Sequence, residues 1–439
     1  MKVKRLYIDT VGCQMNVNDS ERIVSLLEPL GYQVVTERAS ATMIMFNTCS
    51  VRAGAEDRLY QNIANLRNLK RKRPGTLIGV AGCVAQQQGE ELLARFPWLD
   101  FVIGTHTLHL LPALVAQAES GTRGCATQFL DDHQRLDLLP PIVHRTRVSE
   151  FVTVMQGCDN YCSYCIVPYV RGREVSRRFD DIMEEVQGLV KTGVKEVVLL
   201  GQNVNSYGRT GESQPSFVEL VEAVCDVHGI ERVRFVTSHP KDMSDGLIEC
   251  FARLPKLCGA VHLPAQSGSD RILESMNRGY TRAQYLEVIR KLRAVRPDIQ
   301  ITGDMIVGFP GEDDQDFEQT LSLMEEVRYF DLFSFMYSSR PGTAAARWED
   351  RLSRSVKQDR LDRLQRLQLE HSRAHNDSYL GTIQTVLVEG AAKYPDQVSG
   401  RADNGRIVNL PGPLSLVGSL VDVRITASYA NSLLGEYQP

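Results

Sequence analysis

Short apolar runs alternate with amphipathic stretches through roughly the first 120 residues. The runs "RLYIDTVG", "ATMIMFNT", "TLIGVAGC" and "DFVIGT" are too short for buried helices and close on glycine or polar residues, so they read as strands. Between them, apolar residues recur at helical spacing, as in "RIVSLLEPLG". That helix is expected to start at Asp19 or Ser20, because either side chain can cap it. Strand–helix alternation of this kind predicts a parallel, doubly wound α/β sheet over residues 1–120. From 121 to 143 the pattern lapses into "DDHQRLDLLPP" and its surroundings, and a linker is expected.

A more regular alternation fills residues 144–376. Its strand candidates are "FVTVMQG", "KEVVLLGQN", "RVRFVTSHP", "GAVHLPAQSG", "IQITGDMIVGFPGE" and "DLFSFMYSS". Consecutive strand–helix units in this number predict a partial (βα)6 barrel rather than a full eightfold one. An amphipathic helix, "VKQDRLDRLQRLQLEHSRAH", follows. In residues 377–439 the period changes to two, and Asn404-Gly405 marks a hairpin, so a small antiparallel, OB-like β-barrel is expected.

Composition narrows the setting. The net charge of −4 over 439 residues shows no overall affinity for nucleic acid, so any such site must be a local patch. Residues 378–439 hold four Lys and Arg against five Asp and Glu, which gives the small barrel no electrostatic bias toward RNA. The basic run "RNLKRKR" reads first as a helix end whose cations offset the helix dipole. No apolar stretch is long enough to span a bilayer or to form a signal peptide, and a cytoplasmic protein without membrane contact is expected.

In such a compartment ten cysteines call for metal or catalysis before disulfides. Cys225, Cys250 and Cys258 fall in apolar patterns and read as core thiols, and Cys125 falls in the linker. Cys158, Cys162 and Cys165 are different: the spacing C-x3-C-x2-C lets one polar loop wrap three corners of an iron–sulfur cube. A structural zinc site would need a fourth ligand, and no second pair follows. Cys13, Cys49 and Cys83 each lie between a strand and a helix, about one strand–helix–strand unit apart. Singly each would pass as a buried thiol. At three equivalent junctions of one sheet they can converge, which predicts a second cluster with three ligands and one open iron.

C-x3-C-x2-C at the end of the first strand of a partial barrel resembles the radical S-adenosylmethionine (SAM) superfamily. That resemblance implies a 4Fe-4S cluster on Cys158, Cys162 and Cys165, with SAM chelating the fourth iron and cleaved to a 5′-deoxyadenosyl radical, and Tyr164 beside the adenine. Together with "GCQMN", "NTCSVR", "CSYCIVPYVRGRE", "LLGQNVNSYG", "HLPAQSGSDRIL" and "NSLLGE", the chain looks like the MiaB-type tRNA methylthiotransferases. Their order is an N-terminal cluster domain, a radical SAM core and a TRAM domain. The resemblance implies conversion of N6-isopentenyladenosine at tRNA position 37 to its 2-methylthio derivative. SAM would serve both as methyl donor and as radical source, with sulfur supplied at a second 4Fe-4S cluster on Cys13, Cys49 and Cys83. Expected partners are the tRNA anticodon loop, an electron donor such as flavodoxin or ferredoxin, and a sulfur or cluster carrier. No catalytic residue beyond the cluster ligands is assigned.

Gln202, Asn203, Gln266 and Ser267 close barrel strands and are candidates for the SAM pocket, with helix capping or turn formation as the competing role. "GFPGE" is a SAM-facing turn or a generic one, and His239 and His262 are expected to be structural. Arg171 and Arg173 are candidate contacts to tRNA phosphate. Sibling reactions, on threonylcarbamoyl-adenosine in tRNA or on a ribosomal-protein aspartate, would use the same cysteines. A non-enzymatic iron–sulfur RNA-binding or electron-transfer protein is the alternative from another class.

Overall fold

The N-terminal residues form six parallel strands: β1 (Lys4–Val11), β2 (Tyr32–Val34), β3 (Met43–Thr48), β4 (Leu77–Ala81), β5 (Phe101–Ile103) and β6 (Gly124–Ala126). The computed structural model describes residues 3–50, 54–142, 147–209 and 214–438. Strand order is β2-β1-β3-β4-β5-β6, so the winding direction reverses between β1 and β3. The central strands are buried on both faces because helices cover both. Met43 and Met45 point into one apolar layer with Ile23 and Leu27, while Ile44 and Phe46 point into the other with Leu59 and Ile63.

Two local expectations need correction. The first helix spans Gln14–Leu27, more than a turn earlier than Asp19 or Ser20 would start it. Its N-cap is Cys13, whose backbone N–H donates to Asn16 Oδ1 at 3.3 Å, leaving Asp19 and Ser20 buried inside the helix. The segment 121–143 is also more than a linker: Gly124–Ala126 pairs with Phe101–Ile103 as the edge strand β6, and Asp132–Asp137 is helical. Three residues reading "GCA" carry no apolar alternation, so only the neighbouring strand reveals the pairing.

A second unit carries β7 (Ser149–Thr153), β8 (Glu196–Leu200), β9 (Arg232–Val236), β10 (Ala260–His262), β11 (Gln300–Val307) and β12 (Asp331–Met336). They form two three-stranded parallel sheets, β9-β8-β7 and β10-β11-β12, joined through a parallel bridge from Val233 to Leu257. This is the expected partial barrel. Its helices start on designed-looking caps: Ser216 with Glu219, Thr281 with Gln284 and Asp313 with Asp316 each form a reciprocal capping box.

The helix Arg354–Asp377 then presents a mostly polar buried stripe: Arg360, Gln368, Ser372 and Asn376. Those groups are bonded rather than merely buried. Gln368 donates to the Tyr329 carbonyl at 2.9 Å, and Asn376 donates to the Tyr429 carbonyl at 2.6 Å. The closed C-terminal barrel contains β13 (Ile383–Ala391), β14 (Gln397–Ala402), β15 (Ile407–Pro411), β16 (Leu420–Ser428) and β17 (Ser432–Gln438). Gly405 turns β14 into β15 at φ +86°, a conformation that glycine adopts without strain. Closing an odd number of strands cannot keep every neighbour antiparallel, and β15–β17 is the parallel pair.

Buried arginines fasten this barrel to the strands before it. Arg232 donates to the carbonyls of Arg401 and Thr385 at 2.5 and 2.7 Å. Arg406 lies 3.9 Å from the Phe330 ring centroid and pairs with Asp331 at 3.1 Å. Arg406→Met should therefore cost about 2 kcal/mol, less than a fully buried pair because Asp331 is half-exposed. Urea unfolding and limited proteolysis near residue 380 provide the measurement, and an unchanged midpoint would discount this fastening.

Candidate metal centre

In a doubly wound sheet the crevice at the carboxyl ends of the strands opens where the winding reverses. Here that point lies between β1 and β3, and the residues leaving the ends of β1, β3 and β4 include Cys13, Cys49 and Cys83. Neighbouring parallel strands are only about 4.8 Å apart, so three successive strand ends can bring three side chains together. They do meet: Cys49 hydrogen-bonds to both Cys13 and Cys83. Cys49 and Cys83 are buried at 1% and 4% exposure, while Cys13 is partly exposed at the edge of the group.

Close approach here depends on small and amide side chains. A Cβ on Gly12 would lie 2.8 Å from Cys49 Cβ, and one on Gly82 would lie 2.3 Å from Asn47 Oδ1. Asn47 is fully buried and ties two of the junctions together. Its Nδ2 donates to the Asn16 carbonyl at 2.8 Å and to Ser20 Oγ at 2.9 Å, while its Oδ1 accepts from Asn16 Nδ2 at 3.1 Å. The Cys13 thiol itself donates to Asn16 Oδ1 at 3.4 Å. Neither asparagine was a sequence candidate. The signal that was available is an amide residue placed two or three positions from a cysteine at a strand–helix junction.

Titration at the trio is shared. Hydrogen bonds donated by Cys49 hold Cys13 down to about 6 and Cys83 to about 7, against the opposing effect of burial and with help from the charge of Arg171. The same bonds push Cys49 up. Among the described residues, no group of three or more His, Cys, Asp or Glu side chains is arranged for a single metal ion. An all-thiol, largely buried, charge-assisted donor set suits an iron–sulfur cluster, which engages each thiolate through a different iron.

Arg171 corrects an expectation. It does not face solvent as a phosphate contact would. It is 3% exposed, and its Nη2 pairs with Asp19 Oδ2 at 2.6 Å. It stands at the end of the helix Val167–Arg171, whose N-cap Ile166 and whose Val170 pack against Cys83. Arg135, from the segment read as a linker, anchors this stretch by donating to the carbonyls of Arg171 and Arg173 at 2.8 and 2.7 Å. Arg173 is exposed, as the phosphate reading needs, and pairs with Asp159 at 3.0 Å. "RNLKRKR" forms the helix Arg67–Lys72 with its following residue, and two of its cations are spent internally. Lys70 pairs with Asp100 at 2.7 Å, and Arg73 donates to the Ala41 carbonyl at 2.7 Å. Val51 and Arg52 of "NTCSVR" lie outside the described residues.

Cys158, Cys162 and Cys165 occupy eight residues of chain after β7. Around Cys162 the local structure is firmly held. Ser163 N–H donates to the Met276 carbonyl at 3.0 Å, and Asn277 Nδ2 donates to the Asn160 carbonyl at 3.1 Å. The buried Arg278 reaches Cys162 Sγ at 3.3 Å and Tyr164 Oη at 3.4 Å, and is anchored on the Pro264 carbonyl at 2.7 Å. Sequence spacing gives no hint of Arg278, since more than 100 residues separate it from the cysteines. The ring of Tyr164 meets Phe309 of "GFPGE" edge-on at 6.4 Å. That turn is locked by Glu312, which accepts from Gly308 N–H at 2.9 Å and pairs with Arg360 at 2.6 Å.

The four other pocket candidates divide by their bonding. Asn203 donates to Asp242 Oδ2 at 2.8 Å, across to the turn after β9, whereas Ser267 Oγ accepts from Ser269 N–H at 3.2 Å within its own turn. Gln266 takes φ +75° and its backbone bridges to β11, accepting from Ile306 N–H at 3.0 Å. Gln202 is half-buried just beyond β8. His239 is buried and held neutral, down to about 2, by desolvation and then by Arg278 and Lys241. His262 contacts Thr302 and Asp304 at 3.0 and 3.5 Å. Cys225, Cys250 and Cys258 are buried, and burial raises all three thiols. Cys125 lies on β6, half-buried.

Comparison with known proteins agrees with this layout. Residues 152–324 match the radical SAM superfamily, 5–104 match the Uncharacterized protein family UPF0004, and 377–437 match the TRAM domain. A protein of Trichlorobacter lovleyi is 70% identical over 436 residues, covering 99% of this chain and 100% of its own. One of Geobacter sulfurreducens is 58% identical over 433 residues, covering 99% and 97%. Both are named tRNA-2-methylthio-N(6)-dimethylallyladenosine synthase. Among solved structures, the radical SAM methyltransferase TsrM from Kitasatospora setae aligns with a TM-score of 0.58 at 14% identity, covering 94% of this chain and 80% of its own, which shows a shared fold. With near-complete coverage at these identities, the chain belongs to the family of tRNA-2-methylthio-N(6)-dimethylallyladenosine synthases.

Proposed function

We propose that this chain is a transferase that converts N6-isopentenyladenosine at tRNA position 37 to 2-methylthio-N6-isopentenyladenosine. The meeting of Cys13, Cys49 and Cys83 at the sheet's switch point carries the reading, because radical generation alone needs only the C-x3-C-x2-C loop. The two 4Fe-4S clusters and SAM would supply what side chains cannot: a radical able to activate the inert C–H bond at adenine carbon 2, and the sulfur and methyl group to be placed there.

The protein's part is to hold, shield and orient. Cys158, Cys162 and Cys165 would hold the cluster that binds SAM, with Tyr164, Gln202, Asn203, Gln266 and Ser267 toward SAM. Cys13, Cys49 and Cys83 would hold the sulfur-supplying cluster, with Cys49 and Cys83 buried and Cys13 at the partly exposed edge. The small C-terminal barrel would meet the tRNA by stacking more than by charge. Arg401 and Arg406 are committed to Glu389 and Asp331, whereas Tyr394 and Tyr429 stand 66% and 56% exposed as faces for unpaired bases. An electron donor such as flavodoxin or ferredoxin and a sulfur or cluster carrier complete the proposed cytoplasmic setting. No described helix is long and apolar enough to cross a membrane.

Two Cys-to-Ala triples separate the roles. In anaerobically reconstituted, reduced protein, the Cys158/Cys162/Cys165 triple should lose both 5′-deoxyadenosine release and methylthio product. The Cys13/Cys49/Cys83 triple should keep SAM cleavage and lose the product. Nucleoside mass spectrometry reads the outcome, and methylthio product from the second triple would refute the assignment. A separate test concerns the frame around the trio. Asn47→Ala strands buried partners at a cost of about 2 kcal/mol. In a background lacking Cys158, Cys162 and Cys165, it should reduce iron bound per chain well below that of the parent, whereas full iron would show that the amide is dispensable.

A further inference from the structure

Arg171 and Asp19 are both 3% exposed and paired at 2.6 Å, deep in a unit whose other ion pairs mostly reach the surface. Burying a guanidinium is costly unless something of opposite charge meets each of its faces. Asp19 occupies one face, through Nη2. Nη1 has no hydrogen-bond partner of ordinary geometry, yet the guanidinium is within reach of the Cys83 thiol and its charge is felt at Cys13. Its placement is fixed from behind, since Arg135 grips the Arg171 carbonyl at 2.8 Å and Val170 packs on Cys83. An arginine so held, with one nitrogen left over beside an all-thiol trio, is a built counter-charge for an anionic group on those sulfurs.

We infer that Arg171, poised by Asp19, is a positioning residue that sets the reduction potential of the cluster on Cys13, Cys49 and Cys83, an inference that rests on those three being cluster ligands. A fixed positive charge beside the sulfurs favours the more negative, reduced cluster and raises its potential. The Asp19 carboxylate offsets part of that field. The pair therefore works as a two-part setting, and its halves act with opposite sign.

The test uses full-length protein with Cys158, Cys162 and Cys165 changed to Ala, so that a single cluster gives the electron paramagnetic resonance signal during a redox titration. Arg171→Met should lower the midpoint by at least a tenfold change in the reduction equilibrium, ~59 mV for one electron. Asp19→Asn should raise it, and Arg171→Lys should stay closer to the parent than Arg171→Met does. If Arg171→Met fails to load iron, the Asp19→Asn arm decides. A loaded cluster whose midpoint does not move, or moves the same way in both charge variants, overturns the inference alone. A parent that binds no cluster at all overturns the ligand reading and the inference together.

Discussion

The reversal of winding between β1 and β3 is the constraint on which the meeting of the three N-terminal cysteines depends. A parallel sheet sends every strand out through the same edge, and the reversal opens a crevice there because the flanking helices leave on opposite faces. Cys13 and Cys49 flank that crevice, and Cys83 follows from the next strand. The convergence of three cysteines distant in sequence is thus a property of strand order. The Asn16–Asn47–Ser20 network then makes it rigid.

Electrostatics follows from the same geometry. Three thiols in a buried crevice would resist ionisation without help. Hydrogen bonds among them and the nearby Arg171 draw Cys13 and Cys83 toward thiolate. At the other trio Arg278 stands 3.3 Å from Cys162 and is anchored by a carbonyl and a phenol oxygen rather than a carboxylate. Each set of cysteines thus has an arginine in contact, but only one of the two is partly neutralised by an acid.

Much of the architecture was legible because it is written in period. Runs such as "MIMFNT" and "LIGVA" are buried on both faces and read as central strands, and the Asn404-Gly405 hairpin falls where its dipeptide says. Errors came where the pattern is short or where a partner supplies the missing signal. The strand Gly124–Ala126 has no alternation of its own, and the first helix starts on a cysteine cap that propensity does not favour. Asp19, read as a cap, is instead the acid that holds Arg171.

The sequence by itself determined where the cysteines fall, in the C-x3-C-x2-C loop and at three strand–helix junctions, because a loop motif is local and strand ends recur with the chain's period. Only the tertiary structure decided what surrounds them. Arg171, Arg278, Arg135 and Asn47 owe their roles to burial and to partners tens to more than a hundred residues away. A charged or amide side chain looks the same in sequence whether it meets water or a buried sulfur, and the cost of desolvating it appears only once the fold has closed around it.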